Sequence, residues 1–172
     1  GKYSTASAAT SSSTCLPCAA GKHSSTEGNN AVSHCIECAA GRYSSAEGAT
    51  DIGTCLECGV GKYVTTIGSD AETDCIACAS GKFSTVSGAT SQDTCQPCAA
   101  GKYSSSIGST AESDCVLCSA GTYSSSAGAS DVGTCQQCVA GKYAVTQGND
   151  NEDDCVLCGA GKYSVEEGSV SS

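Results

Sequence analysis

Apolar side chains along this chain keep neither the two-residue alternation of a long strand nor the 3.6-residue spacing of an amphipathic helix. They recur every 20 residues, in two rows. One row is aromatic: Tyr3, Tyr43, Tyr63, Phe83, Tyr103, Tyr123, Tyr143 and Tyr163, with His23 in the second seat. The other is Leu16, Ile36, Leu56, Ile76, Gln96, Val116, Gln136 and Val156, each lodged inside a Cys-x-x-Cys. Polar loops of Ser, Thr, Asn and Asp fill the space between. A period this strict is the signature of a repeat array.

All 16 cysteines obey the period, beginning at Cys15/Cys18 and ending at Cys155/Cys158, with no insertion or deletion. Residues 1–14 read as a partial repeat, since Gly1-Lys2-Tyr3-Ser4 matches later units although Ala8 stands where they carry a glycine. Residues 15–172 read as tandem repeats, the last incomplete, in one continuous solenoid-like rod. Beginning and ending inside a repeat, the sequence reads as a piece of a longer chain.

Within a unit, a first glycine (Gly21, Gly41, Gly61 and onward) follows the Cys-x-x-Cys, and a second (Gly28, Gly48, Gly68 and onward) comes seven residues later. Between them lies a short β-prone stretch such as Lys62-Tyr63-Val64-Thr65-Thr66. The second glycine marks a turn back toward the next cysteine. The expected fold class is therefore a small disulfide-rich repeat array: an elongated rod of stacked 20-residue β-hairpin/loop units, with little regular secondary structure and no helix. The apolar rows, stacked, predict a thin spine in which each ring covers a disulfide or the preceding unit.

A second period hides in the first. The residue before each Cys-x-x-Cys alternates between Thr14, Thr54, Thr94 and Thr134 and His34, Asp74, Asp114 and Asp154. An 80-residue echo joins Asp51-Ile-Gly-Thr-Cys55 to Asp131-Val-Gly-Thr-Cys135. Duplication explains such patterns, and the alternation also suggests units facing opposite sides of a rod.

Composition narrows the class. With one Phe, no Trp and no Met in 172 residues, the chain cannot bury a large apolar core, and cysteines serve as covalent substitutes. That implies an oxidising, extracellular compartment. A net charge of −10 argues against nucleic-acid partners. The basic residues Lys2, Lys22, Arg42, Lys62, Lys82, Lys102, Lys142 and Lys162 share one repeat position, broken only by Thr122. No run is apolar enough to span a membrane. No Asn-x-Ser/Thr sequon occurs, whereas Ser104, Ser105, Ser106, Ser124, Ser125 and Ser126 are candidate acceptors of O-linked glycans.

Three readings of the cysteines compete. Next-neighbour disulfides would join Cys18–Cys35, Cys38–Cys55, Cys58–Cys75, Cys78–Cys95, Cys98–Cys115, Cys118–Cys135 and Cys138–Cys155, leaving Cys15 and Cys158 to partners outside the segment. Each loop would contribute roughly 3 kcal/mol in the chain-entropy model. Four-cysteine zinc modules fit the C-x2-C-x16-C-x2-C spacing, but paired modules should leave distinct linkers. Redox chemistry at Cys-x-x-Cys needs a single site at a helix start, which eight copies without helices do not offer.

The run Cys-x-x-Cys-x-x-Gly-Lys-Tyr-Ser, followed by a glycine turn and a closing cysteine, resembles the ephrin-receptor-like (GCC2/GCC3) cysteine-rich repeat over the whole chain. It is more distantly similar to tumour-necrosis-factor-receptor modules. The resemblance implies disulfide-linked hairpins in an elongated array and supports next-neighbour pairing. Similar repeats occur in long surface proteins, including those of flagellar hairs (mastigonemes). Receptor modules differ in loop length and carry further cysteines; here the units are uniform apart from His23, Thr122 and the Gln96/Gln136 pair.

No catalytic constellation emerges, so no enzyme and no cofactor are expected. His23 and His34 read as surface or spine variants. The acidic stretches Asp70–Asp74 and Asp150–Asp154 lack the spacing of a calcium loop and read as solvated loop charge. The expected function is a structural segment of an extracellular fibre or surface filament, self-assembling or joined to other fibre proteins, with the Lys row against acidic loops or a glycan coat making lateral contacts. The alternative is a ligand-binding receptor ectodomain.

Overall fold

The computed structural model describes residues 1–7 and 11–171; Ala8, in the place of a turn glycine, lies outside them. These residues form eight two-stranded antiparallel hairpins with strands of two residues each. Lys22–His23 pairs with Ile36–Glu37, so that Lys22 faces Glu37 and His23 faces Ile36. Arg42–Tyr43 pairs with Leu56–Glu57 in the same register, and the pattern continues to Lys142–Tyr143 with Val156–Leu157. The two apolar rows are thus direct cross-strand partners.

No α-helix occurs among the described residues. Each Cys-x-x-Cys is instead preceded by a three-residue 3-10 turn, a feature the glycine-rich sequence did not announce. Local caps explain it. In Val132–Thr134, Asp131 Oδ1 accepts the Gly133 N–H at 2.7 Å, and Thr134 Oγ1 donates to the Asp131 carbonyl at 2.8 Å. In Glu112–Asp114 the roles reverse: Asp114 Oδ2 accepts the N–H groups of Thr110 and Ala111, at 2.7 and 3.1 Å. Thr14, Thr54 and Thr94 follow the first scheme, and Asp74 and Asp154 the second. In the remaining turn, His34 Nδ1 lies 3.2 Å from the Ala31 carbonyl oxygen.

The chain groups into two compact bodies. The first, Gly1–Ala77 with Val86–Thr94, holds the disulfides Cys18–Cys35, Cys38–Cys55 and Cys58–Cys75. Its apolar cluster is Cys58, Cys75 and Val64, with Tyr43 packed on it. The second, Cys78–Thr85 with Cys95–Ser172, holds Cys78–Cys95, Cys98–Cys115, Cys118–Cys135 and Cys138–Cys155. Phe83 packs with Cys98 and Cys115, and Tyr123 covers Cys138, Ala144 and Cys155.

The apolar spine takes a different form from the expected one. The row inside the Cys-x-x-Cys is exposed, from Leu16 at 51% to Ile36 at 58%. The buried rows hold small residues: Ser24, Ser44, Val64, Ser84, Ser104, Ser124 and Ala144, and five positions on, Asn29, Ala49, Ser69, Ala89, Ser109, Ala129 and Asn149. Neighbouring loops approach to backbone hydrogen-bonding distance, which leaves room for disulfides and small side chains and expels the aliphatics.

Candidate functional site: the disulfide ladder and its junctions

The seven disulfides hold their Cα atoms 5.6–5.8 Å apart and each spans 17 positions of sequence. Cys15 and Cys158 are half-buried free thiols. Successive loops are joined by backbone hydrogen bonds. For Cys98–Cys115 and Cys118–Cys135 these include Gly101 N–H to the Ser124 carbonyl, Ser104 N–H to Ala129, and Gly128 N–H to Cys98, at 2.7, 3.0 and 2.8 Å. Tyr103 and Ala129 form a parallel bridge at the same junction.

Gly101 explains why one glycine row is needed. Its φ is +77°, a region costly for residues with a Cβ. A Cβ there would also collide with the Gly148 backbone carbonyl, two units along the chain. Both constraints recur at Gly81, against Gly128, and at Gly121, against Gly168.

Each characterised ring sits on the disulfide of the following unit: Tyr43 on Cys58–Cys75, Phe83 on Cys98–Cys115, Tyr123 on Cys138–Cys155. His23 takes the equivalent seat, with Nδ1 3.7 Å from Cys55 Sγ. His23, Cys38 and Cys55 bring their ligand atoms within 4.8 Å of one another. The two sulfurs are bonded to each other, so this trio presents no thiolate to a metal ion.

Five members of the basic row are engaged inside the chain. Lys22 and Arg42 reach across their hairpins to Glu37 and Glu57, at 3.1 and 2.6 Å. Lys62, Lys102 and Lys142 reach the first residue of their 3-10 turns, Glu72, Glu112 and Glu152, at 3.0, 2.7 and 3.1 Å. Lateral contacts through these side chains would first have to break intramolecular pairs. The Lys102 hydrogen bond, reinforced by its charge, lowers the Glu112 pKa. The backbone N–H of Thr110, then that of Ala111, lowers that of Asp114. In the acidic stretches, Asp74 and Asp154 are turn caps with specific backbone partners.

The candidate glycan acceptors divide by burial. Ser105, Ser106, Ser125 and Ser126 are exposed, whereas Ser104 and Ser124 belong to the buried row. A sugar on either of the latter two would have to displace a neighbouring loop.

Sequence reasoning missed the two small-residue rows as the core. Their signal was present: loops capped by Thr54, Thr94 and Thr134 carry Ala49, Ala89 and Ala129, whereas those ending in His34, Asp74, Asp114 and Asp154 carry Asn29, Ser69, Ser109 and Asn149. Asn29 and Asn149 find partners inside through their amide nitrogens. Asn29 Nδ2 donates to Ser24 Oγ at 2.7 Å and to the Thr26 carbonyl at 2.8 Å. Asn149 Nδ2 donates to the carbonyls of Thr122 and Thr146, both at 2.9 Å.

A family model described as tyrosine-protein kinase ephrin type A/B receptor-like matches the chain twice, over residues 29–75 and 66–115. The first match ends on Cys75 and the second on Cys115, each the closing cysteine of a loop. No curated protein matches the chain.

Proposed function

The chain belongs to the ephrin type A/B receptor-like family, and on that premise we propose that it is a structural segment of an extracellular fibre or surface filament, of the flagellar-hair kind. The observation that carries this reading is uniformity. The same disulfide span and the same junction hydrogen bonds recur along the described residues. A ligand-binding module gains specificity by making one unit unlike the others, whereas a load-bearing array gains from sameness, because its weakest junction sets its strength. On this reading residues 15–172 run as one array, Cys15 and Cys158 bond to cysteines outside the segment, and Ser105, Ser106, Ser125 and Ser126 carry O-linked glycans. Lateral contacts use those glycans and the exposed aliphatic row.

A receptor ectodomain is the second reading, favoured by the receptor named in the family description. Electron microscopy of the native material, kept free of reductant, separates the two. Long uniform fibres with an axial repeat of one, two or four units are expected. Short isolated particles without lateral order would overturn the fibre reading in favour of the ectodomain.

A further inference from the structure

Which atoms carry load when the two ends of this chain are pulled? Every disulfide bridges the base of its own loop, so 17 positions of backbone at a time are bypassed. The next covalent link is the Cys-x-x-Cys, whose inner residues are β-strands already, such as Ile36–Glu37, Leu56–Glu57 and Val116–Leu117. The backbone at Cys35, Cys55 and Cys115 is extended as well. From Cys18 to Cys155 the tension path therefore alternates disulfide and extended strand, and neither kind of segment can itself lengthen much.

We infer that the disulfides make this chain a tether of capped length, whose extension is released only by thiol–disulfide exchange. The inference depends on cysteine connectivity alone and holds whether the chain serves a fibre or an ectodomain. One 20-residue unit measures 5.6 Å across its disulfide, and three extended residues add about 10 Å. The cap is thus about 16 Å per unit, against about 70 Å for the same residues without the bridge. Two of the junction bonds lie off the path: the Gly101–Ser124 and Ser104–Ala129 hydrogen bonds join bypassed loops. Those two bonds are thereby shielded from tension while covalent bonds carry it.

Release follows a balanced exchange. A dithiol reductant's thiolate attacks one sulfur, forming a mixed disulfide and expelling a cysteine thiolate. The second thiol then displaces the other cysteine and closes the reductant into its own disulfide. Two electrons pass to the cysteines, and 17 positions of chain enter the tension path.

The test is single-molecule stretching of the intact chain, with handles on its terminal residues. Without reductant, the stretch from Cys18 to Cys155 is expected to lengthen no further than the cap of about 16 Å per unit. With dithiothreitol, seven increments of about 55 Å each are expected, at a frequency that rises with its concentration. The Cys98→Ser/Cys115→Ser double variant should release one such increment without reductant, and contour length reads this even if the loop no longer folds. Lengthening of the oxidised chain between Cys18 and Cys155 beyond that cap, increments of another size, or a double variant without the extra length would overturn the inference.

Discussion

Two neighbouring loops of one body teach most about this protein: the loop closed by Cys98–Cys115 and the loop closed by Cys118–Cys135. They share backbone, register and junction geometry, yet differ inside. The first ends in an Asp-capped turn, buries Ser104 against Ser109 with hydroxyls 3.2 Å apart, and pairs Lys102 with Glu112. The second ends in a Thr-capped turn, buries Ser124 beside Ala129, and has Thr122 at the Lys position. Ser124 Oγ has no hydrogen-bond partner among the described residues. The 40-residue alternation is therefore built from two interchangeable ways of closing one loop. It lies inside each unit, at the cap and at the buried pair, and does not require units facing opposite ways.

The comparison breaks first at the staples. Replacing both cysteines of either loop by serine should cost the same, about 3 kcal/mol, because the closed lengths are equal. Hydrogen exchange should show protection lost in the opened loop and its two neighbours, with distant units intact. Collapse of every unit from one such change, or clearly unequal losses, would mean that the two classes differ in more than caps and buried pairs.

A smaller effect is expected in the buried rows, with opposite outcomes in the two loops. Ser104→Ala removes one partner of a buried hydroxyl pair and should destabilise its loop by about 1 kcal/mol. Ser124→Ala removes a hydroxyl without a partner and should be neutral or slightly stabilising. Amide exchange at residues 104 and 124, which donate across the junctions, reads both. Equal losses in the two variants would count against the alternation at this position.

The smallest effect is a pH response at the Asp114 cap of the first loop. Backbone N–H groups hold the Asp114 pKa below its usual value in the folded state. Its contribution is complete above the unfolded carboxylate pKa and is lost as pH falls through the lower, folded one. The amide resonances of Thr110 and Ala111 should titrate in that acidic window, while the Thr134 hydroxyl, which does not ionise there, keeps its bond to Asp131. Lys102→Gln should move the Glu112 titration back up toward the ordinary carboxylate range, with little change in stability, because the pair is exposed. A Thr110 amide that ignores pH through this range would remove Asp114 from the cap.

Much of this architecture is legible in residue order. Unbroken cysteine spacing announced the array, glycine density excluded α-helix, and the Thr/Asp alternation before each Cys-x-x-Cys was visible as a pattern. The 3-10 turns were harder to see, because a cap is a geometric relation between a side chain and backbone three or four residues away, and Ser, Thr and Asp serve loops as readily. Leu56 and Ile76 were misleading for another reason. Hydrophobicity states a preference for burial, but each unit offers little volume, and the disulfides, Ser44 and Ala49 occupy it.

By itself, then, the sequence determined the repeat, the hairpin and the chemistry of each turn, all of which rest on residues within one 20-residue period. Only the tertiary structure decided what is buried. That outcome depends on contacts across units, such as Gly21 N–H with the Ser44 carbonyl and Gly48 N–H with the Cys18 carbonyl, both at 2.7 Å. Such contacts leave no local signature, since backbone atoms make them. They set the spacing between loops, and that spacing admits serine and alanine while turning leucine and isoleucine outward.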